Sequence, residues 1–458
     1  MKRSHRSTGR RKLSPAKIAS YAGAAVGGIA VVCVVVLLLF SGPLANSFIK
    51  PRITKAFAEA YPAYSLRIGD MNYSLFKNRF GFDSVALRAI DGTFSSTIDA
   101  FSVGGIRWLH LLWGGSLEAK DFANSVVDAQ DIVLSWPQDQ YVLRCGELRV
   151  SVPDSEIRVE ALKLHPPGDD EQFFAGSELR RTRFRLDVPH ASVKGLACLE
   201  LAEGKNYRAR SAQIHDASFE VLINKDKAFA IDSSSPPMPN EILSSMKGIL
   251  QVHSLSIING QLKYGERFAV RSKPAWLTFD SMDVLAEGIA NHGARGAALV
   301  IHAKGMFMKA GTMKMLMSIP VASSAFSYQY SGSVGSMDLS VFNAWLEPAE
   351  QMRVKTGALQ EASFEIKVDS GRGSGNVRAV YKDLVLAAIN KRTGSEKGFV
   401  DGIASFIANT FKLRGTNVPD GSDPMKIGEV KYTRKRDELF LEFTWFALRS
   451  GVGNIVGF

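Results

Sequence analysis

Residues 362–382 read ASFEIKVDSGRGSGNVRAVYK. Phe364, Ile366 and Val368 alternate with Glu365, Lys367 and Asp369, and Val377, Ala379 and Tyr381 repeat the alternation after a glycine-rich piece. A period of two puts one apolar and one wetted face on the segment, which describes a strand. Gly371-Arg372-Gly373-Ser374-Gly375 leads into a strand and not a helix, so it lacks the helix N-terminus that cradles a phosphate and reads as a turn.

The same pattern recurs on both sides of this stretch. Upstream it appears in Leu66 and Ile68, in Phe80, Phe82, Val85 and Leu87, and in Leu148, Val150 and Val152. It continues through Ile157, Val159 and Ala161, then Phe184, Leu186 and Val188, then Phe219, Val221 and Ile223, then Leu299, Ile301 and Ala303. Leu262 and Tyr264 follow a turn expected at Asn259-Gly260, and a closing hairpin is expected from Val430 to Phe446 around Lys435-Arg436-Asp437. Helical spacing is confined to Leu44–Tyr61, Glu241–Leu250 and an amphipathic segment, 399–411, carrying Phe399, Ile403, Phe406, Ile407 and Phe411. Trp108–Trp113 fits either a short helix or a buried strand. Two interruptions read as loops: His165–Gly176, whose Asp169-Asp170-Glu171 is expected to be solvated, and Asp232–Asn240, the better domain boundary.

The net charge of +11 suggests a nucleic-acid or acidic-surface partner until it is sorted by position. Residues 1–17 hold Lys2, Arg3, Arg6, Arg10, Arg11, Lys12 and Lys17 and no carboxylate. Taking these seven from 56 leaves 49 basic against 45 acidic groups, so the bulk is nearly balanced and a nucleic-acid partner is not expected. Ile18 to Phe40 follows, 23 residues without a charged side chain. As a helix it reaches roughly 34 Å, enough to cross a bilayer core. A cleaved signal peptide would have a shorter apolar run and small residues at the cut, whereas here the chain continues Pro43-Leu44-Ala45. The expectation is a basic cytoplasmic tail (1–17), a single transmembrane helix (18–40) and a large domain across the membrane, with Arg10, Arg11, Lys12 and Lys17 setting the orientation.

Of the three cysteines, Cys33 lies in the expected span. Cys145 and Cys198 remain, and the sequence leaves open a disulfide between them or two separate thiols.

Catalytic constellations are not found. The eight histidines are scattered, without the spacing that holds a metal on one face. Ser244-Ser245-Met246-Lys247 and Lys355-Thr356-Gly357 imitate two of three penicillin-binding signatures, but the third is missing between them. No cofactor, metal or enzymatic activity is expected.

Several stretches resemble the AsmA-like proteins of Gram-negative envelopes. They are IKPRITKAFAEAYP (49–62), SIINGQLKYGE (256–266), YSGSVGSMDLSVFNAWLEP (330–348), VKTGALQEASFEIKVDSGRGSGNVRAVYKDLVLAAINK (354–391) and FIANTFKLRGTN (406–417). The resemblance spans most of 44–446 and is sharpest in 255–265 and 328–445. It implies a mainly β fold: a transmembrane helix followed by a long curled antiparallel β-groove with a few short helices. The implied regions are a chorein-like start and groove over 44–235 and an AsmA-like β region over 241–458. It further implies anchoring in the inner membrane, a periplasmic domain, and transfer of phospholipid towards the outer membrane in support of outer-membrane biogenesis. Phe364, Ile366, Val368, Leu299 and Ile301 are the candidate groove residues. The partners implied are phospholipid or another acyl lipid, the inner membrane, and outer-membrane or periplasmic proteins. About 400 exported residues are short for a complete bridge. The competing expectation is an assembly scaffold that binds other envelope proteins through strand edges or an apolar face.

Overall fold

The computed structural model describes residues 50–74, 77–107, 119–202, 206–229, 235–293, 297–321, 326–389, 414–420 and 423–457. The basic tail, the expected span 18–40, Trp108–Trp113 and the expected helix 399–411 lie outside them. Among the described residues no helix is long and apolar enough to cross a membrane.

The chain is mainly β, in one large mixed sheet with a few short helices. After helix α1 (Lys50–Ala60), strands β1 (Tyr64–Ile68), β2 (Met71–Ser74), β3 (Arg79–Phe82), β4 (Val85–Ala89) and β5 (Ser95–Gly104) make the first edge. An antiparallel meander follows through β6 (Val126–Trp136), β7 (Tyr141–Ser151), β8 (Glu156–His165) and β9 (Thr182–Lys194). β10 (Asn206–His215) and β11 (Ser218–Asn224) lie end to end along β9. A second meander runs through β12 (Ile249–Arg267), β13 (Ala275–Ala290), β14 (Ala298–Phe307), β15 (Gly311–Pro320) and β16 (Tyr328–Val334). It is completed by the two-residue β17 (Met337–Asp338), β18 (Met352–Asp369), β19 (Arg372–Ala388) and β20 (Ile427–Thr433).

The expectation of a wholly antiparallel groove needs correction at one place. β12 pairs in parallel with both β10 and β11. Parallel neighbours need a crossover of a dozen or more residues. Residues 225–248 supply it, carrying helix α4 (Pro239–Ser245). The two regions expected over 44–235 and 241–458 therefore meet at this crossover, and a single sheet runs through both.

The expected turn at Asn259-Gly260 is instead a bulge inside β12, which is paired on both sides. Asn259 takes a left-handed φ of 55°, and so do Asp216, at the junction of β10 and β11, and Ser281 of β13, at 56° and 47°. The three irregularities are tied together: Asn259 Nδ2 donates to Asp216 (2.6 Å) and its N–H to Asp283 (3.2 Å). Aligned bulges keep one face apolar across the extra residue and increase the local twist.

The expected closing hairpin is also corrected. Strand ends at Thr433, and Phe440–Val456 is a helix, α6. Its first turn is capped by Glu442, which accepts from Leu439 N–H (3.2 Å), and Gly457 ends it at φ 103°. Two shorter helices are α2 (Asp170–Ala175) and α3 (Cys198–Ala202), and α5 (Asn343–Glu350) lies between β17 and β18.

Candidate apolar groove

Residues paired across a ladder share a face of the sheet. The register therefore traces what each face offers along its length. One file runs Phe82, Phe101, Ala129, Leu148, Val159, Ala191, Ile214 and Ile257, then Val284, Ala303, Met315, Gly332, Phe364, Val377 and Gly428. The second, two residues away on each strand, runs Phe80, Val103, Val127, Val150, Ile157, Val193, Ala212 and Leu255, then Ala286, Ile301, Met317, Tyr330, Ile366, Gly375 and Val430. Neither file contains a charged side chain, and Tyr330 is the only polar one. At about 4.8 Å between strands, the files extend roughly 65 Å along the sheet.

The opposite face carries the charge. Lys304, Lys314, Glu365, Lys367 and Lys431 occupy the alternate positions of the same strands. Among the described residues β2 and β20 each pair on one side only, so the sheet is open and does not close into a barrel.

Burial along the apolar files is uneven, and this defines the site. At the first edge Phe80, Phe82, Phe101, Val103 and Ala129 are buried in a cluster that includes Phe57 of α1. At the other end α6 lies directly on the files. Phe443 is fully buried against Tyr328 and Tyr432, and Tyr330 donates its hydroxyl hydrogen to Thr444 O (2.9 Å). A β-carbon on Gly428 would sit 2.0 Å from Gly451 O, and one on Gly373 3.2 Å from the Ala447 β-carbon. Those glycines are what lets α6 approach β19 and β20 so closely. α5 covers the neighbouring inner surface through Trp345, stacked on Tyr264 at 5.8 Å and edge-on to Trp445.

Between the two covered ends, on β7 to β15, the file residues other than the buried Ala286 and Met317 are only half-buried. Leu148, Val159, Ile214, Ile257, Val284, Ile301 and Met315 all fall in this range. Eight strands side by side make this window about 34 Å long. Its lining is aliphatic and methionine-rich at the β14–β15 end, a soft surface that adapts to irregular apolar ligands.

The five residues nominated from sequence all lie on this inner face, in two different environments. Ile301 is half-buried in the window. Phe364, Ile366, Val368 and Leu299 are closed off in the C-terminal core, Ile366 and Val368 at 1% exposure. Sequence reasoning missed the window itself, because Ile257, Ile214 and Met315 have the same alternation as their covered counterparts. Arg10, Arg11, Lys12 and Lys17 lie outside the described residues.

A disulfide between Cys145 and Cys198 is not formed: both are free thiols. Cys145 Sγ points at Glu147 O and Glu160 O in the middle of β7, whereas Cys198 Sγ lies 3.9 Å from Ser151 O at the end of that strand. Six strand residues separate these points by about 20 Å, and a bridge tolerates about 7 Å between α-carbons. Burial pushes both thiols up from their ordinary value.

A second feature unread from sequence is a set of buried ion pairs where the crossover meets α6. Arg183, with no exposed surface, holds Asp170 (3.0 Å) and Glu220 (2.5 Å). Arg267 holds Glu171 (2.7 Å) and Asp226 (3.2 Å). Asp170 and Glu171 thus lie in the first turn of α2, paired to arginines, and not in a solvated loop. Lys225 pairs with Glu442 of α6 and lies 3.9 Å from Glu266, and Arg180 pairs with Asp437. Burial raises the Glu266 and Glu438 carboxyls above the usual range, and Tyr264, buried beside Glu266 and Glu442, is raised strongly.

The serines of the penicillin-binding imitation serve the backbone. Ser244 and Ser245 donate to Glu241 O and Ile242 O at the end of α4, and Thr356 donates to Asp383 O from β18. Among the described residues no group of three His, Cys, Asp or Glu side chains is placed to hold a metal ion. No protein-family model matches the chain, and no curated protein matches it.

Proposed function

We propose that the protein is a membrane-anchored lipid-handling protein of the Gram-negative envelope. In this reading residues 18–40 hold it in the inner membrane, the β-sheet lies in the periplasm, and the inner face carries phospholipid acyl chains on their way to the outer membrane. The observation that carries the reading is the pair of unbroken apolar files, charged on the opposite face, the file through Ile257 being half-exposed across eight strands. A surface of that kind lowers the cost of holding an acyl chain in an aqueous compartment, which is about 0.8 kcal/mol for each methylene left in water. The headgroup stays in water at the open side of the sheet. No step needs a catalytic residue, a metal or a cofactor. The resemblance of 255–265 and 328–445 to AsmA-like proteins supports the same role.

The reading is tested with the full chain reconstituted in donor vesicles of phosphatidylethanolamine and phosphatidylglycerol containing a fluorescent phospholipid. Transfer to acceptor vesicles is expected to exceed the protein-free rate, and Ile257→Glu is expected to return it to that rate. Equal rates with and without the wild-type protein would refute the reading.

A further inference from the structure

We infer that α6 is a fixed stop on the groove, so that the protein carries a small, countable load of lipid in the central window and is not a continuous conduit. The inference rests on the proposal that the inner face binds acyl chains, and adds where that binding ends.

The occupant of the C-terminal end of the files is visible. Phe443, Ala447 and Gly451 of α6 lie against Tyr328, Gly373, Val377 and Val430, the surface an acyl chain leaving the window would need next. The fit leaves no spare space, since even one added carbon at Gly428 or Gly451 would come within 3 Å of the opposing element. The helix is also tied down at its N-terminal end. Asp437 pairs with Arg180, Glu442 pairs with Lys225, and Arg434 donates to Pro236 O (2.6 Å) and Glu438 O (3.2 Å). Lys225, Pro236 and Arg180 belong to the first meander and the crossover, so lifting α6 would break contacts with the other half of the protein. Farther along, Lys426 Nζ donates to Asn454 O and Asn454 Oδ1 accepts from Glu429 N–H (3.2 Å). A helix held at both ends and seated on glycines is built to stay.

The size of the window follows. A bilayer core of about 30 Å holds two acyl layers, so one chain needs about 15 Å, and a window of about 34 Å takes roughly two chain lengths end to end. One or two phospholipids fill it.

The test uses the full chain with phosphatidylethanolamine and phosphatidylglycerol vesicles that contain a phospholipid bearing a diazirine on its acyl chain. After illumination, adducts are expected on peptides of the window, such as those containing Ile257 and Met315, and not on peptides containing Ile366 or Val430. In Gly428→Val, where α6 cannot seat, adducts are expected to spread to Ile366 and Val430. Adducts on those peptides in the wild type would overturn the stop while leaving lipid binding intact. Adducts nowhere would sink the lipid reading and the stop with it. A variant that does not depend on unseating the helix is the pair Gly373→Cys with Ala447→Cys, which locks α6 in place on oxidation. Vesicle transfer is expected to be the same oxidised and reduced. A several-fold loss on oxidation, regained with reductant, would show that α6 must lift, and would overturn the proposal.

Discussion

A glutamate placed at Ile257 or at Ile366 separates groove from core, because the two residues share a face and differ in what covers it. Ile366 is 1% exposed, paired with Tyr330 and Gly375 in the cluster beneath α6. Replacing it removes roughly 1.5–3 kcal/mol of buried side chain. The new carboxylate then either stays ionised, at an effective cost of several kcal/mol, or takes up a proton. Against a total stability of about 5–15 kcal/mol, that is enough to unfold or loosen the second meander. Ile257 is half-buried, its carboxylate would reach water, and the loss is about 1 kcal/mol. The assay is a urea unfolding midpoint together with bound phospholipid per chain. Ile366→Glu is expected to lose the cooperative transition. Ile257→Glu is expected to keep its midpoint within a few tenths molar and to lose its lipid. A well-folded Ile366→Glu that sheds lipid, beside an Ile257→Glu that keeps it, would refute the placement of the window.

Three further outcomes are expected. Lys225→Met leaves Glu442 and Glu266 buried without their cation and is expected to cost about 3–5 kcal/mol in urea unfolding, an unchanged midpoint contradicting the role of that ion pair in holding α6. The Glu438 carboxyl is raised by burial, so the native state holds its proton at pH values where the unfolded chain has released it. The associated stability is present below pH 4.5 and is lost as pH rises through the raised value, so Glu438→Gln is expected to flatten the fall in midpoint as pH rises above 4.5, and an identical slope would count against it. Asn259→Val puts a β-branched residue at a φ of 55° and removes the bond to Asp216, which is expected to lower stability by at least about 1–2 kcal/mol; a neutral result would mean the bulge is relaxed by other means.

What the sequence made legible was the strand. Phe364-Glu365-Ile366-Lys367-Val368 could be read as one face in and one face out, and the strands carrying Ile157, Phe184, Phe219, Leu299 and Val377 were legible in the same way. The proline-rich piece around Pro236 and Pro237 was legible as a break between strands, and from sequence it reads as a domain boundary, not as a crossover within one sheet. Period two does not name a strand's neighbour, so the parallel pairing of β12 with β10 and β11 was out of reach. Asn259-Gly260 has the same left-handed preference in a turn as in a bulge, and only the ladders on both sides decide between them. α6 was misread because Leu439, Leu441, Phe443 and Trp445 alternate by chance in a helix that is enclosed on most sides; Glu442 and Gly457, as caps, were the available signal. The window was hidden for a related reason. Whether Ile257 or Ile366 meets solvent depends on a helix far away in sequence, and alternation within a strand carries no record of it.

The most direct test of the central claim is a count of phospholipid on the full chain, purified in mild detergent and weighed by native mass spectrometry. One or two phospholipids per chain are expected, absent from Ile257→Glu. A wild-type chain that emerges lipid-free, with its unfolding midpoint unaffected by added phospholipid, would contradict the claim that the apolar files are a lipid surface.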